Sequence, residues 1–134
     1  MAKIVDIEGI GGVYAKKLQA INIRTTGALL KAGATPAGRK DIAEKAGITG
    51  KLVLEWVNHA DLFRIKGVAE EYSDLLEEAG VDTVPELGQR NAENLFKKIV
   101  EVNAAKKLVR KLPVQSQVAD WVKQAKSLPR MIKY

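Results

Sequence analysis

Apolar residues recur every three to four positions along most of this chain, and no stretch alternates apolar with polar long enough to predict a strand. Val13 to Ala20 carries such a helical spacing, and Asn22 follows as a residue able to take the left-handed stop conformation. Thr25 then reads as the N-cap of a second helix. Thr35-Pro36 opens a third, running to about Ala46 before Gly47, because proline suits a first helical turn and glycine a helix stop. Lys51 to Leu62 predicts a fourth, with Val53, Leu54, Trp56, Val57 and Ala60 as its apolar residues. Further on, Gly80 is a stop and Thr83-Val84-Pro85-Glu86 has the form of a capping box. Asn91 to Lys111 reads as the longest helix, ended by Pro113, and Ser116 as the cap of a last helix carrying Val118, Trp121, Val122 and Ala125. The fold class expected is all-α.

The pattern is written twice. Ile7-Glu8-Gly9-Ile10 matches Ile65-Lys66-Gly67-Val68. At the same offset and without a gap, Tyr14 pairs with Tyr72, Leu18 with Leu76, Ile23 with Val81, Thr25 with Thr83 and Leu29 with Leu87. Later, Val53, Trp56, Val57 and Ala60 pair with Val118, Trp121, Val122 and Ala125, so the second copy carries an insertion of about seven residues in its middle. The division expected is residues 1–64 and 65–134. No Gly/Pro/Ser-rich linker separates the copies, which predicts that they pack together.

Composition narrows the function classes. The absence of cysteine excludes disulfides and cysteine-zinc sites. The expectation is a cytoplasmic protein, since Met1 to Asp6 lacks a secretory pattern and no apolar run is long enough to cross a bilayer. A net charge of +6 is compatible with a polyanionic partner, and equally with a lysine-rich surface that only keeps the chain soluble.

Candidate chemistry concentrates at Gly9-Ile10-Gly11-Gly12-Val13-Tyr14-Ala15-Lys16-Lys17-Leu18. This resembles the helix-hairpin-helix motif, hydrophobic-Gly-hydrophobic-Gly, with Ala15 and Leu18 at the expected later places. The resemblance implies two helices joined by a glycine turn whose backbone N–H groups hold a DNA phosphate. It implies two tandem, SAM-domain-like units packed together. Physical chemistry agrees, because glycine permits close approach and free N–H groups at a helix start attract anions. On this reading Gly9, Ile10, Gly11 and Gly12 cradle a phosphate, and Lys16 and Lys17 reach its neighbours. The same residues are equally consistent with a simple structural bend or a protein contact. A poorer hairpin at Gly47-Ile48-Thr49-Gly50-Lys51 offers Gly50 and Lys51 as further phosphate contacts, although a helix stop followed by a Thr N-cap explains it more simply.

The turn of the second copy departs from the motif. Ala69 replaces the second glycine, and Glu70 to Glu86 contains seven acidic residues and no Lys or Arg, which repels phosphate. Leu87 to Tyr134 is the reverse, with eleven basic residues against three acidic. Lys97, Lys98, Lys106, Lys107, Arg110 and Lys111 cluster on or near the long helix, with Lys123, Lys126, Arg130 and Lys133 along the final one. These can track a nucleic-acid backbone or simply form a solvated face.

His59 is the only histidine and reads as a partly exposed helix residue, with no metal site and no cofactor expected. Trp56 and Trp121 read as core anchors, Tyr14 and Tyr72 as packing residues, and Asp61 with Arg64 as a structural ion pair. Glu70, Glu71, Glu77 and Glu78 are expected on an exposed helix, and no nucleophile-base pair is legible, so catalysis is not expected. Two functions follow. One is sequence-independent binding of DNA or other nucleic acid. The other is a protein-interaction module that docks another protein or a second copy. Over nearly its whole length, from the Gly-Ile-Gly turn through Ile23, Thr25, Arg39, Trp56-Val57-Asn58, Asp61 to Val68, Arg90-Asn91 and Asn94-Leu95, the chain resembles the family called domain of unknown function 4332. That resemblance implies the tandem fold and no established activity.

Overall fold

Helices account for every regular element in a computed structural model of the chain, which describes residues 3–7 and 9–134. Glu8 of the repeat, and the side chains of Ala69 and Glu70, lie outside the described residues. A short 3-10 turn at Ile4–Asp6 precedes α1 (Gly12–Gln19), α2 (Thr26–Ala32), α3 (Pro36–Ala46) and α4 (Gly50–Leu62). The second half contains α5 (Ala69–Glu78), α6 (Val84–Gly88), α7 (Ala92–Lys106) and α8 (Gln115–Ser127). Among the described residues the only extended pairing is one isolated bridge between Lys3 and Thr25.

Local chemistry sets most helix ends. The hydroxyls of Thr25, Thr35 and Thr49 accept the N–H groups of Ala28, Gly38 and Leu52, and Asn91 Oδ1 accepts that of Asn94. Gly47 ends α3 with φ of +68°. The hairpin expected at 47–51 is therefore a helix stop followed by a threonine cap.

Three predicted ends are corrected. The long helix stops at Lys106, not Lys111. Lys107 turns left-handed, and the Asn103 amide closes the loop by accepting the Val109 N–H and donating to its carbonyl. The last helix starts at Gln115, so Ser116 sits inside its first turn and caps nothing; the N–H of Gln117 already reaches the Val114 carbonyl. At α6 the Thr83 hydroxyl donates to Glu86 in place of forming a reciprocal box, and the Val84 N–H is taken by Asp61 Oδ2 at 2.8 Å.

The two halves solve the same packing problem in the same way. Gly9 and Gly67 have φ of +93° and +95°, and a Cβ at either would stand 3.4 or 3.1 Å from the indole Nε1 of Trp56 or Trp121. Tyr14 meets Trp56 at a ring separation of 5.1 Å, and Tyr72 meets Trp121 at 5.3 Å. Asn22 and Gly80 both turn left-handed, letting the N–H of Ile23 and Val81 bond back to Leu18 and Leu76. One core gathers Ile4, Leu18, Leu29, Val53 and Trp56, and the other Leu75, Leu87, Leu95, Ile99 and Trp121.

The cores interleave across the division expected at residue 64. Leu62 belongs to the second and Phe63 packs on the first. The chain end also returns. Ile132 is buried in the first core, the Lys133 N–H donates to the Ala34 carbonyl, and Arg39 donates to the carbonyls of Gly33 and Lys133. Asp61, fully buried, joins the halves by accepting from Arg64 and from Val84 of α6.

Candidate functional site

The glycine turn of the first copy stands open at the start of α1. Gly11 is its extended N-cap and Gly12 its first residue; both are exposed, with no atom near where a Cβ would project. The first turn of any α-helix leaves N–H groups without helical partners, so this end attracts negative charge. Ile10 differs from its assigned role. It is buried, and its N–H donates to the Ile7 carbonyl, so it plugs the core and offers no free amide. Among the described residues, the element before the turn is the three-residue 3-10 turn, where the motif places an α-helix.

Lys16 and Lys17 are exposed on α1, Lys17 Nζ lying 5.7 Å from the Tyr14 ring centroid. Gly50 and Lys51 are exposed at the start of α4. The basic stripe expected on the long helix is partly neutralised and partly dispersed. Lys97 pairs with Glu93, Lys98 with Glu101, and Lys106 reaches Glu78 of α5 at 2.5 Å. Lys107 is the left-handed cap, and Arg110 and Lys111 lie beyond the helix in the loop to α8.

The surroundings of the turn are acidic on one side. A cleft of about 710 Å³ runs from Gly9, Ile10 and Gly11 to Glu71 and Asp74 of α5, with Asp6 and Leu108 also in its walls. The first hairpin thus has two approaches, one past Gly12, Lys16 and Lys17 and one past carboxylates.

His59 is a second centre, and here the sequence reading is corrected. His59 is 5% exposed, on the helix α4 that packs against α2, α3 and α5. Its Nε2 is hydrogen-bonded to Glu77. Burial pulls the imidazole pKa down, but the Glu77 bond and the charges of Glu77, Asp74 and Glu55 outweigh it, leaving the group above the ordinary histidine value. The same bond holds the Glu77 carboxyl below its usual value, against the effect of burial. Asp82 is pushed up by burial and by Glu86 and Glu77. Glu77 is accordingly half-buried and paired across the seam, although it was expected on an exposed face.

Asp74 and Glu77 were missed as partners of His59. Their spacing places them on one face of α5, and that much is readable. That α4 of the other half would bring a histidine to this face depends on the packing of the copies, which no local pattern encodes. One donor atom from each of His59, Asp74 and Glu77 lies within 4.8 Å of the others. No helix among the described residues is long and apolar enough to cross a membrane.

Compared with known proteins, residues 8–128 match the model of the family described as Domain of unknown function (DUF4332). No curated protein and no solved structure matches the chain.

Proposed function

The chain belongs to that family, and we propose that it is a non-catalytic, cytoplasmic protein that binds nucleic-acid backbone without reading sequence. The observation that carries this reading is the exposed Gly11-Gly12 start of α1, with Lys16 and Lys17 one turn further along. A phosphate there takes hydrogen bonds from backbone N–H groups and favourable charge from the helix end and two ammonium groups. Such contacts position a duplex and carry no base information. The carboxylates of the cleft restrict the ligand to the solvent side of the turn, past Gly12 and Lys16. Few phosphates are neutralised, so affinity is modest and falls with salt on a shallow slope, about 2 in log affinity against log salt.

The test is fluorescence anisotropy with a short duplex at two salt concentrations. Lys16→Glu with Lys17→Glu is expected to weaken binding at low salt and to lower the slope of log affinity against log salt by about 2. Absence of binding at low salt rules the reading out.

A second reading is favoured by the cleft itself. Asp6, Glu71 and Asp74 beside the apolar Leu108 suit a basic segment of a protein partner or of a second copy. Binding of a lysine-rich peptide that Glu71→Lys abolishes, with no binding of duplex, selects this alternative.

A further inference from the structure

We propose that His59, Asp74 and Glu77 form a binding site for a divalent transition-metal ion of the Zn²⁺ type, placed across the seam between the two halves. The site shares no residue with the glycine turn, and its test reads metal alone, whatever that turn binds.

The ligand set is of the right kind. An imidazole nitrogen and two carboxylates are ordinary ligands of Zn²⁺, with bonds of about 2.0–2.2 Å and remaining positions open to water. In a tetrahedral shell of that size, ligand atoms stand about 3.4 Å apart. The three donors already lie within 4.8 Å of one another, so rotamer adjustments bring them to that spacing. Asp74 and Glu77 rise from successive turns of α5, and His59 comes from α4, so all three sit on helices and not on loops.

The imidazole is held through one nitrogen alone: Nε2 faces Glu77, and Nδ1 is buried without a hydrogen-bond partner. The repeat separates this arrangement from a shared packing contact. At the matching place in the second copy, Gln124 clamps the hairpin by accepting the Lys66 N–H and donating to its carbonyl. His59 instead turns Nε2 to a carboxylate of α5.

Acidic groups surround the imidazole: Glu77, Asp74 and Glu55 all act on His59. In the metal-free protein the His59–Glu77 hydrogen bond holds α4 to α5. A divalent ion takes its place, ligated by neutral imidazole and two ionised carboxylates.

The experiment uses the full chain, stripped with chelator and then freed of it, titrated with Zn²⁺ and with Co²⁺. Because His59 is the only histidine, its ring resonances report the site without assignment. One equivalent of Zn²⁺ is expected to shift them, and Co²⁺ to give visible d–d bands. Asp74→Asn and Glu77→Gln are each expected to weaken binding about 10-fold or more, as measured by competition with a chromophoric chelator. If Glu77→Gln unfolds the seam, Asp74→Asn still decides the matter. Ring resonances that stay in place through excess Zn²⁺, or Zn²⁺ affinity unchanged in folded Asp74→Asn, overturn the proposal. So does an equal response to Mg²⁺ that survives His59→Gln, since carboxylates alone then suffice.

Discussion

Replacing Asp61 by alanine removes one buried polar tie between the halves, and its cost can be worked from the contacts. The carboxylate is fully buried and accepts two bonds at 2.8 Å, from Arg64 Nη1 and from the Val84 N–H. Hydrogen bonds to a charged group contribute about 1.5–3 kcal/mol each, and breaking a buried pair costs about 3–5 kcal/mol. Arg64 retains a bond to the Pro129 carbonyl and some access to water, which lessens its share. The Val84 N–H has no such relief, because Val84 is itself fully buried. Asp61→Ala is therefore expected to lose about 3–4 kcal/mol, a large part of the roughly 5–15 kcal/mol that holds a typical domain folded.

Asp61→Asn keeps an acceptor for Val84 but turns amide hydrogens toward the guanidinium, so about half that loss is expected. Urea denaturation followed by tryptophan fluorescence reads both variants, since Trp56 and Trp121 report one core each. If the tie couples the cores, the two signals, read one at a time in Trp121→Phe and Trp56→Phe backgrounds, are expected to coincide with Asp61 present and to separate in the alanine variant. A loss below about 1 kcal/mol for Asp61→Ala, with α6 still formed, would refute the reasoning.

Four other outcomes are expected. Gly67→Ala should destabilise by about 1–3 kcal/mol in chemical denaturation, and more than Gly9→Ala, because both sit at positive φ but the new Cβ meets Trp121 at 3.1 Å and Trp56 only at 3.4 Å; the opposite order would count against the packing argument. Ile132→Ala should cost about 2–4 kcal/mol by the same measurement, since Ile132, in the segment after α8, is buried in the first core, and a cost near zero would mean the returning tail does not pack in solution. For metal-free protein, the raised His59 pKa contributes stability fully present below about pH 6.5 and lost as pH rises through the folded value, while the lowered Glu77 pKa contributes above about pH 4.5 and is lost on acidification. The pair is thus strongest between those limits, melting temperature should fall from pH 6 toward pH 8.5, and Glu77→Gln should flatten that fall. Finally, Glu71→Gln should raise duplex affinity several-fold at low salt if phosphate binds at the first turn, and leave it unchanged if it does not.

Much of the fold was legible because its determinants are local. Threonine and asparagine caps, Gly47 and the left-handed Asn22 and Gly80 each act within four residues of themselves, and their helix ends fell where the pattern put them. The ends that moved depend on distant partners. Asp61, from the other half, takes the N–H that the Thr83 box was expected to serve. Asn103 folds the chain back on Val109 and cuts α7 short, although lysine and leucine around it favour helix. The site divides in the same way. Gly11, Gly12, Lys16 and Lys17 are neighbours in sequence and emerge together, whereas His59, Asp74 and Glu77 meet only because α4 packs on α5. The pairing of His59 was illegible for that reason, since its partner Glu77 belongs to the other copy.

The two copies share a skeleton and differ in charge, and that difference is concentrated on α5. Its carboxylates occupy three directions at once. Glu77 faces α4 through His59, Glu78 faces α7 through Lys106, and Glu71 and Asp74 face the open turn of the first copy. A phosphate about 6 Å from one such carboxylate is repelled by about 3 kcal/mol at an effective dielectric constant near 20, comparable to a charge-assisted hydrogen bond gained from a backbone amide. The acidic helix therefore sets the side from which an anion can reach Gly12, and a cation held by Asp74 and Glu77 would weaken that restriction by cancelling charge in the same wall. Taken together, the two proposals would link occupancy of the seam and affinity at the turn through one helix. Such a linkage is reciprocal by necessity: whatever factor a divalent ion added to polyanion affinity, the polyanion would add to ion affinity.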